Sequence, residues 1–220
     1  MEIEQITTAD GSHTLFVPAM DEHYHSVNGA LQEALHVYID AGLNAWRGDS
    51  RLRGNDIHVL EIGFGTGLNA LLTALEAEKQ NIHVLYTALE KFPVPATIVS
   101  QLNYSEIQPD LFSQIHAAEW RKIVPVTPHF SLQKIQTDFN DYNYPDNYDV
   151  VYYDAFAPDK QPEVWSQELF NRIYSAMYPN GILTTYCAKG AIRRMLQQTG
   201  FTVERIPGPI GKREMLRGRK

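Results

Sequence analysis

Hydrophobic residues along this chain follow two alternating rhythms. A period near 3.6 runs through Ala30, Leu31, Ala34, Leu35, Val37, Tyr38 and Ala41, which predicts a helix with Gly42 as its stop. Ahead of it, residues 14–27 read as a short strand or hairpin, part of an N-terminal extension. Apolar or period-two runs at 57–62, 82–89, 130–137, 148–153 and 181–187 predict strands. Helical runs at 68–78, 93–124, 164–177 and 188–199 fall between them, with turn signals near Pro109 and a terminal cap at Gly200. Two last strands, near 201–206 and 213–217, flank the loop Pro207-Gly-Pro-Ile-Gly.

Strands that take turns with helices predict a mainly parallel sheet covered on both faces, an α/β doubly wound architecture. The 220 residues suit one folding unit, an extension over 1–50 packed on a core over 51–220. No apolar run approaches the roughly 20 residues of a membrane span. The N-terminus has no basic region followed by an apolar stretch, so no secretion signal is read and a cytoplasmic location is expected. The single cysteine, Cys187, excludes an intramolecular disulfide and a cysteine-cluster metal site, and reads as a small buried strand residue.

The net charge of −7 argues at first against a polyanionic partner. It conceals a split, because residues 189–220 carry +7 and the preceding 188 residues −14. A basic surface on an acidic body and a solvated basic tail both fit that asymmetry.

Candidate chemistry concentrates at strand ends. Leu60-Glu-Ile-Gly-Phe-Gly-Thr-Gly-Leu-Asn lies at a strand-to-helix junction, where Gly63, Gly65 and Gly67 allow a tight turn and let a ligand approach the backbone. Leu68 stands where a dinucleotide fingerprint needs its third glycine, and no Gly-Lys-Ser/Thr follows, so neither a dinucleotide loop nor a P-loop is read. A cofactor turn and a purely structural glycine turn remain. Glu61, Glu90, Asp138 and Asp154 fall at the ends of four successive strands, the edge at which α/β sheets bind ligands. Glu90 is placed to accept ribose hydroxyls, or stands as a surface carboxylate; Asp138 is placed to meet an adenine amino group.

The loop Asp154-Ala-Phe-Ala-Pro-Asp-Lys-Gln-Pro-Glu-Val-Trp is the second signal. An alkyl amine attacks only as its free base yet is mostly protonated near neutral pH, so a carboxylate such as Asp154 could orient it and take up its proton. Phe156 and Trp165 could stack on a base while Pro158 and Pro162 stiffen the loop, although core packing is the plainer reading of Trp165. Tyr24 is a candidate for the pocket wall. His23 and His25 form an H-x-H pair read as strand surface, and no metal site is expected.

Taken together, Leu60-Glu-Ile-Gly-Phe-Gly-Thr-Gly-Leu-Asn, Glu90-Lys-Phe-Pro, Asp154-Ala-Phe-Ala-Pro, Gln161-Pro-Glu-Val-Trp165 and Gly211-Lys-Arg-Glu-Met-Leu resemble the MnmC-type tRNA methyltransferase domain. The likeness runs from about residue 14 to the end. It implies a class I S-adenosyl-L-methionine-dependent methyltransferase, Rossmann-like, with a seven-stranded sheet. The implied reaction is methylation of the amine of 5-aminomethyl-(2-thio)uridine at the tRNA wobble position. Carried over by position, Glu61, Gly63, Gly65, Gly67, Glu90, Asp138 and Asp154 would hold the cofactor. Asp154 and Phe156 would face the modified uridine, and Tyr24, Pro158, Trp165, Lys189, Arg193, Lys212 and Arg213 would contact the tRNA. The family's long form adds a flavin-dependent oxidase domain. A standalone, monomeric methylase without that domain is expected here, acting on the anticodon region. A small-molecule amine methyltransferase, an aminopropyltransferase-like enzyme and a non-catalytic tRNA-binding or cofactor-sensing module are the alternatives.

Overall fold

The computed structural model describes residues 2–48, 56–145 and 147–220. The boundary drawn between residues 50 and 51 lies outside these described residues. Eight strands form one sheet in the order β10-β11-β9-β8-β4-β5-β7-β6, where β4 is Asp56–Ile62, β5 His83–Glu90, β6 Ile123–Thr127, β7 Phe130–Gln136, β8 Tyr148–Tyr153, β9 Met177–Thr185, β10 Thr202–Pro207 and β11 Glu214–Arg219. The five central strands β9, β8, β4, β5 and β7 are mutually parallel. The strand β11 inserts antiparallel between β9 and β10. The seven anticipated strands are present. The eighth, β6, falls where the periodicity predicts the end of a helix; it pairs antiparallel with β7 and forms the edge of the sheet.

Period-two alternation divides the core between the two faces. Along β8, Val150 and Tyr152 join one hydrophobic cluster while Val151 and Tyr153 join the other. The helix Leu68–Gln80 and the helical segment 30–47 cover the first face; the helices Gln167–Ser175 and Gly190–Thr199 cover the second. Gly200 caps the last helix with φ +118°.

Several boundaries moved for identifiable reasons. The first helix does not stop at Gly42 but continues through a π-helical stretch, Leu35–Asn44, to Arg47. A Cβ at Gly42 would stand 3.0 Å from the Tyr152 ring, so this glycine serves close packing on the sheet and not termination. The run at 93–124 breaks into the helices Ala96–Val99 and Pro109–Ala117, because Pro109 occupies a first helical position, where its missing N–H costs nothing. Cys187 is buried but lies just beyond β9.

The N-terminal residues form an antiparallel sheet of β1, Glu4–Thr7, β2, His13–Val17, and β3, Glu22–His23. Leu15 belongs to the same cluster as the first sheet face, and Tyr24 and His25 reach Gly65 and Thr66, so the extension caps the carboxyl edge at the turn after β4. Among the described residues, no helix is long and apolar enough to cross a membrane.

Candidate active site

The order of strands reverses between β4 and β8: the chain runs outward from β4 through β5 to β7, then returns to β8. A crevice opens at such a reversal, and the glycine turn and Asp154 stand on its two sides. Asp154 N–H donates to the Ile62 carbonyl at 3.0 Å. Gly63 has φ +95°, and a Cβ on it would stand 2.6 Å from the Asp154 carbonyl oxygen, so only glycine fits. The two sequence signals, 91 residues apart in the chain, are thus neighbours in space.

A cavity of about 390 Å³ lies over this junction. Gly63, Gly65, Glu90, Asp154, Phe156, Tyr24 and Lys212 all line it. On the β5 side, Glu90 Oε2 accepts from the Gly65 amide at 2.9 Å and Oε1 from the Phe92 amide at 2.8 Å. Burial pushes the Glu90 carboxyl upward, and these two amides restrain it. Tyr24, from the N-terminal cap, lies over Gly65 and meets Phe156 edge to face, with ring centroids 5.0 Å apart.

On the β8 side, Asp154 is held by two neutral donors. Tyr38 Oη donates to Oδ1 at 2.6 Å and Asn69 Nδ2 to Oδ2 at 2.8 Å. Asn69 also donates to Glu61 Oε1 at 2.9 Å, so one side-chain amide bridges two carboxylates. Burial raises Asp154 to about 7, against the lowering effect of the Tyr38 hydrogen bond. Burial likewise holds Glu61 well above the ordinary carboxylate range. Glu61 is fully buried and stands behind the cavity wall.

The loop after Asp154 is anchored through its own carbonyls. Trp165 Nε1 donates to the Phe156 carbonyl at 2.7 Å, and Tyr186 Oη to the Ala155 carbonyl at 2.8 Å. Trp165 is 4% exposed and packs against Tyr153 and Phe170, so it fixes Phe156 from the core and does not stand in the cavity. Lys212 lies 4.1 Å from the Tyr186 ring centroid and pairs with the buried Glu33 at 2.5 Å.

Other candidates fall outside the lining. Asp138 pairs with Lys91 at 2.7 Å, a bond that lowers its carboxyl, and it stands behind Lys91 and Phe139, which do line the cavity. Gly67, with φ +76°, packs on His116 and Phe64. Pro158, Lys189, Arg193 and Arg213 are not among the lining residues. Lys189 is engaged with Asp159, and Arg205 and Arg217 pair with Glu214 and Glu204, so much of the basic C-terminal charge is met locally.

His25 corrects the surface reading of the H-x-H pair. It is 9% exposed, and its Nε2 lies 2.8 Å from Thr66 Oγ1 in the glycine turn. His116 Nε2 lies 3.1 Å from the Thr66 carbonyl, an acceptor, so that nitrogen carries the proton. Burial pulls both imidazoles down to about 4, which keeps them neutral. Tyr38, Glu33 and His116 carry no sequence motif, while Thr66 and Asn69 lie inside the glycine motif without a role assigned to them there. Among the described residues, no group of three or more His, Cys, Asp or Glu side chains is placed to hold a metal.

Residues 124–220 match a family model described as S-adenosyl-L-methionine-dependent methyltransferase. The chain is 32% identical to the tRNA 5-methylaminomethyl-2-thiouridine biosynthesis bifunctional protein MnmC of Cupriavidus necator, covering 96% of this chain and 33% of that protein. The protein of the same name from Leptospira borgpetersenii is 28% identical, covering 90% of this chain and 32% of its own length. The chain therefore spans about a third of the length of the curated relatives it matches. Among solved structures, MNMC2 from Aquifex aeolicus superposes with a TM-score of 0.78 at 25% identity, covering 99% of this chain and 69% of that one. A spermidine synthase from Thermotoga maritima shares the fold, with a TM-score of 0.61 at 12% identity. The MnmC-type resemblance and the doubly wound methyltransferase fold expected from the sequence are both borne out.

Proposed function

We propose that this chain, MnmC-type in sequence and fold, methylates the aminomethyl nitrogen of 5-aminomethyl-(2-thio)uridine at the tRNA wobble position. The product is 5-methylaminomethyl-(2-thio)uridine, and the enzyme acts as a cytoplasmic monomer on the anticodon region. The observation that carries the proposal is that Asp154 shares one cavity with the glycine turn and Glu90. A carboxylate made basic by burial thus stands beside the turn expected to hold the methyl donor. The names of the relatives, which concern tRNA 5-methylaminomethyl-2-thiouridine biosynthesis, support the same substrate.

The residues present fit S-adenosyl-L-methionine. Gly63 and Gly65 at positive φ leave the backbone bare on the cavity side, and Glu90 holds a carboxylate at the end of β5. When bound, the cofactor supplies an electrophilic methyl group on a sulfonium. Glu90 would take the ribose hydroxyls, with Gly63, Gly65 and Gly67 shaping the turn against the methionyl part. Asp138 would serve the adenosine end through its hold on Lys91 at 2.7 Å.

Asp154 would orient the acceptor amine and accept its proton as the new N–C bond forms and the methyl group's bond to sulfur breaks, the electron pair leaving on a neutral thioether. A carboxyl at about 7 is well matched to that work near neutral pH, because proton transfer is most effective when the catalytic group titrates near the working pH. Phe156 and Tyr24 offer aromatic edges to the uracil ring, and Trp165 holds Phe156 in place. Pro158 would restrict the loop. Lys212 at the rim, with Lys189, Arg193 and Arg213 beyond it, would meet tRNA phosphates.

Incubation of the purified protein with S-adenosyl-L-methionine and tRNA bearing 5-aminomethyluridine tests the proposal. Mass analysis of the digested nucleosides should show 5-methylaminomethyluridine accumulating over many turnovers. Cofactor binding without any methylated nucleoside would overturn it.

A further inference from the structure

Tyr38 belongs to none of the sequence motifs, and the proposed reaction gives it no role. It is 1% exposed and sits in the π-helical stretch Leu35–Asn44. Such i→i+5 turns are rare and concentrate at functional sites, because the widened backbone redirects side chains that an α-helix would aim elsewhere. Here the same stretch contains Gly42, whose missing side chain lets the segment seat on Tyr152 and Thr184. Close seating brings the Tyr38 ring to 5.2 Å from that of Tyr152 and its hydroxyl to 2.6 Å from Asp154 Oδ1.

The geometry is that of a clamp. Asn69 takes Oδ2 and Tyr38 takes Oδ1, so each oxygen of Asp154 has one neutral donor and keeps lone-pair capacity for the cavity. Two donors from two different elements fix the rotation of the carboxylate, which a single bond would leave free. A hydrogen bond to the charged form also favours that form over the protonated acid.

We propose that Tyr38 is a positioning residue for Asp154. It fixes the carboxylate toward the acceptor amine and keeps it ionised and able to accept a proton. This rests on the role given above to Asp154. The ring sits among other hydrophobic residues and the hydroxyl alone reaches the site, so the function resides in a single oxygen atom.

The groups facing Asp154 come from every surrounding element. Tyr38 and Glu33 project from the segment 30–47, Asn69 from the helix Leu68–Gln80, Glu61 from β4, Tyr86 from β5, Tyr186 from just beyond β9 and Lys212 from the loop before β11. Glu33 and Lys212 act on Asp154 in opposite directions and pair with each other at 2.5 Å. Burial dominates and raises Asp154 to about 7, and the Tyr38 hydrogen bond is the largest influence pulling the other way.

Tyr38→Phe removes the hydroxyl and retains the ring. In the cofactor-free protein, the carboxyl carbon signal of Asp154, assigned by its loss in Asp154→Asn, should titrate about one pH unit higher in Tyr38→Phe, the size expected for one hydrogen bond to a charged group. In turnover, kcat should fall about tenfold with the KM for cofactor unchanged, and the acid limb of kcat/KM should move to higher pH. On an Asp154→Asn background, Tyr38→Phe should add no further loss. An unmoved Asp154 titration, or losses that multiply in the double variant, would overturn the assignment. Absence of any methyl transfer by the wild-type protein would sink the functional reading, and the titration would still decide the positioning role.

Discussion

Glu90 accepts a hydrogen bond from the Gly65 amide at 2.9 Å, so the end of β5 and the middle of the glycine turn hold each other. The same carboxylate is gripped on its other oxygen by the Phe92 amide at 2.8 Å. Two backbone donors therefore fix its orientation, and a carboxamide cannot satisfy both, because its nitrogen would face an N–H. Glu90→Gln should loosen the turn as well as weaken the acceptor for ribose. Cofactor affinity measured by calorimetry is expected to fall about 10- to 100-fold, the range for a lost hydrogen bond to a charged group. A change of less than about threefold would remove Glu90 from the cofactor site.

Asp154 makes an opposite prediction for stability. Its carboxyl titrates near 3.8 when unperturbed and at about 7 in the fold, so the folded state holds the proton more tightly than the unfolded chain. Stability is therefore lost as pH rises from about 4 to about 7, and the full penalty applies above that. Asp154→Asn removes the charge and keeps hydrogen bonding, its oxygen facing Asn69 and its nitrogen donating to the Tyr38 hydroxyl. The variant should melt about 4–8 °C higher than wild type at pH 8, for a gain of about 2 kcal/mol, and show no gain at pH 4. It should also be nearly inactive. Equal melting temperatures at both pH values would show that Asp154 is not held in an unfavourable charged state.

Much of this site was legible because the signals are local. The glycine turn, Glu61, Glu90 and Asp154 announce themselves by residue type at the ends of strands whose periodicity is plain. Their convergence followed from the parallel sheet, which brings consecutive strand ends to one edge. Tyr38 was not legible, since an aromatic residue on a helix looks like packing until the helix is set against the sheet; Asn69 closes the glycine motif, but its bond to Asp154 appears only in the fold. Gly42 misled for the same reason: it resembles a helix stop and is in fact a contact with Tyr152. His25 resembled surface because only the folded cap brings it to Thr66. Asp138 was placed correctly at the edge, but Lys91, its partner, occupies the cavity wall instead.

Cofactor binding should release a proton. A sulfonium brought near Asp154 favours its charged form and lowers its carboxyl from about 7, so at pH 6.5 part of the bound proton must leave. Calorimetry of S-adenosyl-L-methionine in buffers of different ionisation enthalpy should give an apparent enthalpy that varies with the buffer. S-adenosylhomocysteine, which lacks the sulfonium charge, should give a smaller variation, and Asp154→Asn should abolish the difference between the two. Identical proton release by both ligands would separate Asp154 from the methyl-bearing end of the site.

The remaining basic residues should reveal themselves through salt. Lys189 and Arg213 lie outside the cavity, and Lys189 pairs with the exposed carboxylate of Asp159, so the fold at the site does not rest on them. If they neutralise tRNA phosphates, each substitution to alanine removes about one released counterion, and the slope of log affinity against log salt should become shallower by about one. Stability should change little, because exposed ion pairs contribute about 1 kcal/mol or less. Lys212 differs: it covers Glu33, whose side chain is 7% exposed, so Lys212→Ala strands a buried carboxylate and should lower stability as well as affinity. Filter binding of tRNA between low and moderate salt distinguishes these cases. An unchanged slope in the Lys189→Ala and Arg213→Ala variants would place the tRNA path on another face of the molecule.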